Sequence, residues 1–169
     1  MKKAVWSGVL VAAGFLMVSS SAFAQTSGTV TVTANVAARA KLQLNNSNAA
    51  VQSHSITFND ADPDTTANLT STPFNVDVKA RVPGGGAVNL TVAAGGDLTS
   101  GTDTIGINNL SWAGTGAMAG GTANTAAQTV GNWTGSGHRQ GTQTYSLVNS
   151  WAYATGNYSA TLTYTLTTP

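Results

Sequence analysis

The last fourteen residues of the chain alternate almost without fault between apolar and polar side chains. A period of two is typical of a β-strand with one buried and one solvated face, and β-branched threonine suits the solvated face. Gly156 and Asn157 in front of the alternation are a turn signal. We therefore predict a final strand at the middle of a sheet, with its apolar face buried. That face consists of Tyr158, Ala160, Leu162, Tyr164 and Leu166.

A second strongly alternating stretch covers residues 28–36, near the front of the chain. Threonine and asparagine occupy every other position, so the stretch predicts another strand with one apolar face. The apolar positions are Val30, Val32, Ala34 and Val36.

Shorter alternating segments, separated by Gly, Pro and Asn, occupy the middle of the chain. The clearest covers residues 73–82, where even-numbered positions are predicted to point inward and Asp77 is predicted to face water. Residues 83–86, Pro-Gly-Gly-Gly, predict a hairpin turn into the next strand. Further strands are predicted at 42–44, 54–58, 105–112, with a bulge at 108–109, and 142–147.

Residues 113–127 are rich in Gly, Ala and Thr without a usable period, which predicts a long mobile connection. No window has apolar residues at helical spacing over three turns. Many short strands joined by turn residues predict an all-β protein, an immunoglobulin-like β-sandwich.

The front of the chain has the pattern of an export signal. Lys2 and Lys3 precede an apolar run at residues 9–18, and Ala22-Phe23-Ala24 forms a cleavage site before Gln25. The apolar run is too short to span a bilayer as a helix. We predict that residues 1–24 are a cleaved signal peptide.

Charge and cysteine content exclude several kinds of protein. Without Lys2 and Lys3 the 7 basic residues fall to 5, against 6 aspartates and no glutamate. So few charges give no electrostatic footprint for nucleic acid, and we predict no nucleic-acid partner. The absence of cysteine excludes disulfides, zinc–thiolate sites and a cysteine nucleophile.

Few residues are candidates for chemistry, and we predict no enzyme activity, catalytic residue, cofactor or metal site. Asp60, Asp62 and Asp64 resemble the start of a calcium loop, but Thr65 and Ser71 stand where an EF-hand needs Gly and Glu. A solvated acidic turn is the preferred interpretation, and calcium binding stays open. The two histidines, His54 and His138, lack the Gly-x-Ser-x-Gly elbow of a hydrolase.

Five aromatic residues allow two interpretations. Their faces could stack on sugar rings, or their bodies could anchor a core otherwise built from Val, Ala and Leu. We prefer the core interpretation. The residues are Trp112, Trp133, Trp151, Tyr145 and Tyr153.

Three stretches resemble a known family in the same order along the chain. They are VTVTANV at 30–36, INNLSWAG at 107–114 and TGNYS at 155–159. The chain resembles the chaperone–usher pilins, most closely the cysteine-free major subunits of colonisation-factor fimbriae. Gly156 stands fourteenth from the end, as in pilins, and Leu162, Tyr164 and Leu166 take the pilin strand positions. The usual penultimate tyrosine is replaced by Thr168.

The resemblance implies donor-strand complementation, in which each subunit lacks a closing strand and receives one from the next. Residues 25–37 would be the donor strand, and residues 38–169 an incomplete sandwich whose acceptor groove is flanked by the final strand and Gly156. The partners would be identical subunits, a periplasmic chaperone and an outer-membrane usher. The expected product is an adhesive or biofilm fimbria on the cell surface. A self-contained secreted sandwich that binds carbohydrate is the alternative.

Overall fold

The computed structural model describes residues 28–49 and 52–169. The predicted signal peptide, residues 1–24, lies outside the described residues, as do the first three residues of the predicted donor strand. The chain divides into two units, Met1–Asn35 and Val36–Pro169, and every strand described below lies in the second unit.

The second unit consists of short antiparallel strands, which confirms the predicted all-β class. The large sheet has the order β1-β3-β10-β7-β8, with β2 also paired to β10, and the small sheet has the order β11-β4-β9. Strands β5 and β6 form a separate two-stranded ribbon. The strands are β1 (Arg39–Leu44), β2 (Asn68–Thr70), β3 (Phe74–Arg81), β4 (Ala87–Ala94), β5 (Leu98–Ser100), β6 (Asp103–Ile105), β7 (Leu110–Gly114), β8 (Gly121–Thr122), β9 (Gln128–Thr134), β10 (Gly137–Val148) and β11 (Leu162–Thr167).

The core lies between the inward faces of the two sheets. Val76 and Val78 of β3 and Val88 and Leu90 of β4 are completely buried, and they belong to one continuous apolar cluster. Each such side chain contributes roughly 1.5–3 kcal/mol to folding. The predicted inward residues of segment 73–82 are all buried, as predicted.

The turn at residues 83–86 carries the chain from one sheet to the other. The predicted hairpin is wrong, because β3 pairs with β1 and β10 while β4 pairs with β9 and β11. A second crossover, from β9 to β10, lies beside the first. The Gly135 amide donates to the Gly86 carbonyl over 2.8 Å, and the Ser136 hydroxyl bonds both backbone groups of Val82. These bonds tie the two crossovers together at one end of the sandwich.

Residues 115–127, which we call the strap, are ordered rather than mobile. Met118 and Ala123 of the strap are buried, so the prediction of a mobile connection is wrong. The Ala117 amide donates to Gln140 of β10, and the Ala119 amide donates to Val130 of β9 over 2.7 Å. Because its residues are small, the strap lies close against both sheets. It closes the side of the sandwich formed by β8 and β9.

Five other local predictions differ from the structure. No strand is assigned to residues 28–36 or 54–58, because a strand requires a paired neighbour. A 3₁₀ turn, Ile107–Asn109, replaces the predicted bulge. Asp77 is 7% exposed rather than solvated, because it bonds His138 and Gln140 on the adjacent strand. The final strand, β11, lies at an edge of the small sheet and not at its middle.

The close packing of the strap makes a prediction about Gly141 of β10. A Cβ atom added there would overlap the Thr115 carbonyl oxygen and lie 2.8 Å from Met118 Cγ. We expect Gly141→Ala to lower the free energy of unfolding by about 1–3 kcal/mol, as overpacking does. Urea denaturation of the purified protein measures this change.

Gly84→Ala is the matched control, because a Cβ atom at Gly84 meets no atom within 4 Å. Equal urea midpoints for the two variants would contradict the close approach of strap and β10.

Candidate functional site

One side of the sandwich is left open. Strand β11 pairs with β4 on one side, from Leu162 opposite Ala94 to Thr167 opposite Asn89, and its other side has no partner among the described residues. Strand β1, the edge of the large sheet, lies next to β11 across the sandwich. The opposite side is closed by the strap. We call the side formed by β1 and β11 the open edge.

The inward face of β11 is incompletely covered. Leu162, Tyr164 and Leu166 alternate with exposed threonines, as predicted, but all three are only half-buried. The neighbouring inward residues of β4, Leu90 and Val92, are fully buried. The difference lies in position, because β4 has a strand on each side and β11 has one. Apolar side chains at the open edge therefore remain partly in water.

A second unpaired backbone borders the open edge. Along residues 52–58 the side chains alternate between half-buried and exposed, as they would on a strand, and His54 packs 4.7 Å from the Phe74 ring. Ile56 and Phe58 pack against the core. In the described part of the chain, no backbone-to-backbone hydrogen bond involves residues 53–60. The segment has the side-chain pattern of a strand without its ladder.

A cavity of about 920 Å³ lies where this segment meets the approach to β11. Its apolar wall includes Phe58, Leu98, Ile105, Leu147 and Tyr158. Leu98, Ile105 and Leu147 also belong to the buried core. The cavity therefore reaches the core near the start of the final strand.

A polar bridge crosses the core beside the open edge. The Tyr164 hydroxyl of β11 donates to the Gln143 side-chain oxygen of β10 and lies 2.7 Å from the Tyr145 hydroxyl. Gln143 and Tyr145 are almost completely buried. The bridge ties the small sheet to the large sheet at the least covered strand. The sequence signal for Gln143 is its place on the inward positions of β10, two residues before Tyr145.

Burial also changes the acidity of the bridge. Desolvation raises the pKa of Tyr145 from 10.0 to about 12, although the hydrogen bond with Tyr164 opposes this. The pKa of Tyr164 is raised as well, first by desolvation and then by Tyr145. Both hydroxyls therefore remain protonated donors at neutral pH.

The three clustered aspartates form a turn at the mouth of the cavity. Asp60 and Asp62 line it, and the Asp62 carboxylate accepts the Asp64 amide over 2.9 Å. The Asp64 carboxylate accepts the indole NH of Trp151 over 3.0 Å. Within residues 28–49 and 52–169 there is no group of three or more side chains suited to hold a metal ion.

The five aromatic candidates are divided among different places. Trp112 and Tyr145 are buried and pack 5.8 Å apart, in agreement with the core interpretation. Trp133 is half-buried under the Arg139 guanidinium. Trp151, which is 70% exposed, and half-buried Tyr153 line the cavity.

The predicted donor and acceptor residues differ sharply in exposure. Val30, Val32 and Val36 are 89%, 86% and 64% exposed, and Ala34 is exposed as well. On the acceptor side, Tyr158, Leu162, Tyr164 and Leu166 share the half-buried face, while Gly156 and Ala160 are exposed. The prediction that Ala160 lies on the buried face is wrong, because the strand begins only at Leu162. Gly156 lies against Ser100 at the cavity.

Comparisons with protein-family models and with curated proteins found no match. No helix in the described ranges is long and apolar enough to cross a membrane.

The polar bridge makes a prediction about β11. Tyr164→Phe removes the hydroxyl that bonds Gln143 and Tyr145, and leaves two buried polar groups short of a partner. We expect the free energy of unfolding to fall by about 1–3 kcal/mol, measured by urea denaturation. Tyr158→Phe is the matched control, because the Tyr158 hydroxyl bonds the Ala154 carbonyl in an exposed position. Equal losses in the two variants would contradict the bridge.

The raised tyrosine pKa values predict alkaline unfolding. A phenol with a higher pKa in the folded state holds its proton more tightly there, so its stabilisation is complete below pH 10 and lost above it. We expect the urea midpoint to stay flat from neutral pH to about 10 and to fall as pH approaches 12. The absorbance of tyrosinate measures the deprotonation of these tyrosines as the protein unfolds. A midpoint that is unchanged at pH 11.5, about 1.5 units above the unfolded pKa, would contradict the buried bridge.

Proposed function

We propose that this chain is a structural subunit of an extracellular fimbria that polymerises by donor-strand complementation. The second unit is then an immunoglobulin-like sandwich that lacks its closing strand. One observation carries the proposal: the strap closes one side of the sandwich with small residues and hydrogen bonds, while the opposite side keeps an unpaired β11 with a half-buried apolar face. An open apolar edge of this kind is an aggregation hazard in a monomer and an acceptor in a polymer.

The segment before β1 has the composition that this edge requires. Residues 28–38 carry four alternating apolar side chains, and an extended stretch of that length reaches about 36 Å. The ten residues from Tyr158 to Thr167 span about 33 Å when extended. A donated strand would place its valines against Leu162, Tyr164 and Leu166, and its backbone against β11 and the unpaired segment 53–58.

Head-to-tail donation does not close on itself, so it produces a filament. The proposed assembly needs only identical subunits in the finished filament. During export, a periplasmic chaperone would cover the apolar edge, and an outer-membrane usher would order the exchange. Adhesion or biofilm formation is the role proposed for the filament.

The first test compares two faces of the donor strand. Val32→Asp would place a charge in the apolar groove, whereas Thr31→Asp would place the same charge on the solvated face. We expect Val32→Asp to abolish filaments of the refolded mature chain and Thr31→Asp to leave them, as seen by electron microscopy. Deletion of residues 25–36 should also abolish them, and size-exclusion chromatography should then show a monomer. Filaments formed by the deletion variant would contradict the proposal.

The cavity gives one reason to retain a second candidate, a secreted carbohydrate-binding sandwich. Tyr153 and exposed Trp151 stand beside Asp60 and Asn149 at the cavity mouth, and aromatic and polar groups together are suited to sugars. This candidate predicts a stable monomer whose Trp151 fluorescence changes on titration with oligosaccharides. Filament formation without any sugar response favours the fimbrial proposal.

A further inference from the structure

The charges of the second unit are separated between its two ends. At the crossover end, where β3 passes to β4, Arg39 lies opposite Arg81 and Lys41 opposite Lys79 on paired strands. Like charges directly opposite each other are destabilising, so this arrangement has a cost. The remaining lysine or arginine among the described residues is Arg139 of β10. It lies opposite Val78 of β3, one position along the strand from Lys79. All the lysine and arginine side chains in residues 28–49 and 52–169 thus lie toward the crossover end.

Most aspartates lie toward the other end. Strand β10 runs from Gly137 at the crossover end to Val148, and its last residues, Leu147 and Val148, line the cavity. Asp60 and Asp62 line that cavity. The β5–β6 ribbon, which follows the far end of β4, carries Asp103, and Asp97 precedes it. The Asp64 carboxylate accepts the indole NH of Trp151, which lines the same cavity. Asp77, the remaining aspartate, is buried between Lys79 and His138.

The ion pairs of the described residues leave both clusters available. They involve only Asp77, with Lys79 at 3.6 Å and, when its ring is protonated, His138 at 2.7 Å. Arg39, Lys41 and Asp60 are exposed and belong to no ion pair within the described ranges. A basic end and an acidic end on one subunit are complementary when subunits stack head to tail.

Chain connectivity brings the same two ends together. Strand β11 runs from the cavity end toward the crossover end, since Leu162 is opposite Ala94 and Thr167 opposite Asn89. The donated segment is joined directly to Arg39 at the crossover end of its own subunit. When it enters the next subunit from the cavity end, it runs antiparallel to β11, and Arg39 and Lys41 arrive beside the acidic cavity mouth.

Resting on the proposed function, we infer that the Arg39 and Lys41 end of each subunit forms ion pairs with the Asp60 and Asp62 cavity mouth of the next copy. These contacts steer the donated strand into the groove from the cavity end and set its direction. They also offset the repulsion within the basic cluster. The partner is therefore a second copy of this chain, recognised by its charge as well as by its apolar groove.

Charge reversal in the full mature chain tests this inference. Arg39→Glu and Asp60→Lys should each slow filament assembly about 3- to 30-fold at low salt, measured by light scattering, because complementary charges act chiefly on association rates. The two substitutions together should restore the rate to within about 3-fold, since they exchange the charges across the interface. Assembly of the unaltered chain should slow as salt rises from about 0.02 to 0.3 M.

Thr129→Lys and Thr129→Glu are the control variants, because Thr129 is an exposed residue on β9. They should assemble at the unaltered rate, and circular dichroism should show that every variant folds. Restoration in the double variant supports the inference. Unchanged rates in the single variants, or no restoration in a folded double variant, would overturn the ion pairs. If filaments still form in that case, they continue to support strand donation. Failure of the unaltered chain to assemble at any salt overturns both.

Discussion

Strand β11 presents an edge without a strand partner beside an apolar interior, and the structure around it reflects this. Strand β11 pairs with β4 through the backbone groups of one side, and its other side has no strand partner in residues 28–49 and 52–169. Leu162, Tyr164 and Leu166 are held at that edge only half-buried. Backbone groups and apolar surface both favour a further strand. Proteins normally cover such an edge, and this chain does so on its other side with the strap.

The polar bridge explains how the edge remains ordered while it is open. Tyr164 is the central residue of β11, and its hydroxyl reaches across the core to Gln143 and Tyr145 of β10. A purely apolar residue at position 164 would hold β11 only by packing contacts, and these are incomplete because the inward face of the strand is half-buried. The hydrogen bonds fix the distance between the sheets, so the groove keeps a defined width. The cavity next to Tyr158 lies at the start of β11, where the core is least covered by other residues.

Periodicity in the sequence predicted the inward and outward faces of the strands better than it predicted which strands pair with each other. Alternation depends directly on which side of a strand is buried. It therefore correctly predicted that Val76, Val78, Tyr145 and Leu147 are buried. Alternation contains no information about which strands pair. The chain therefore crosses between sheets at 83–86 where a hairpin was predicted, and β11 lies at an edge instead of the middle. The alternating pattern of β11 would be the same whether the strand lay at the edge or at the middle of the sheet.

Residues that depend on distant partners could not be predicted from local pattern. Asp77 is buried because His138, 61 positions later, reaches it. The strap is ordered because Gly and Ala permit close approach to β9 and β10, a fit that composition alone does not reveal. Of the candidate site, the sequence identified the alternating faces of 28–36 and β11. It did not identify Gln143 or the cavity, and it assigned segment 54–58 a ladder that the structure lacks.

Hydrogen exchange along β11 measures whether its free edge accepts a strand. Amides of Leu162–Thr167 can be followed by NMR in a chain of residues 39–169, before and after addition of a peptide with the sequence of residues 28–38. We expect the β11 amides directed away from β4 to exchange rapidly alone and to become protected with the peptide, while amides of β9 do not change. Binding of the peptide that leaves those β11 amides unprotected, or protection of them before any peptide is added, would contradict this expectation.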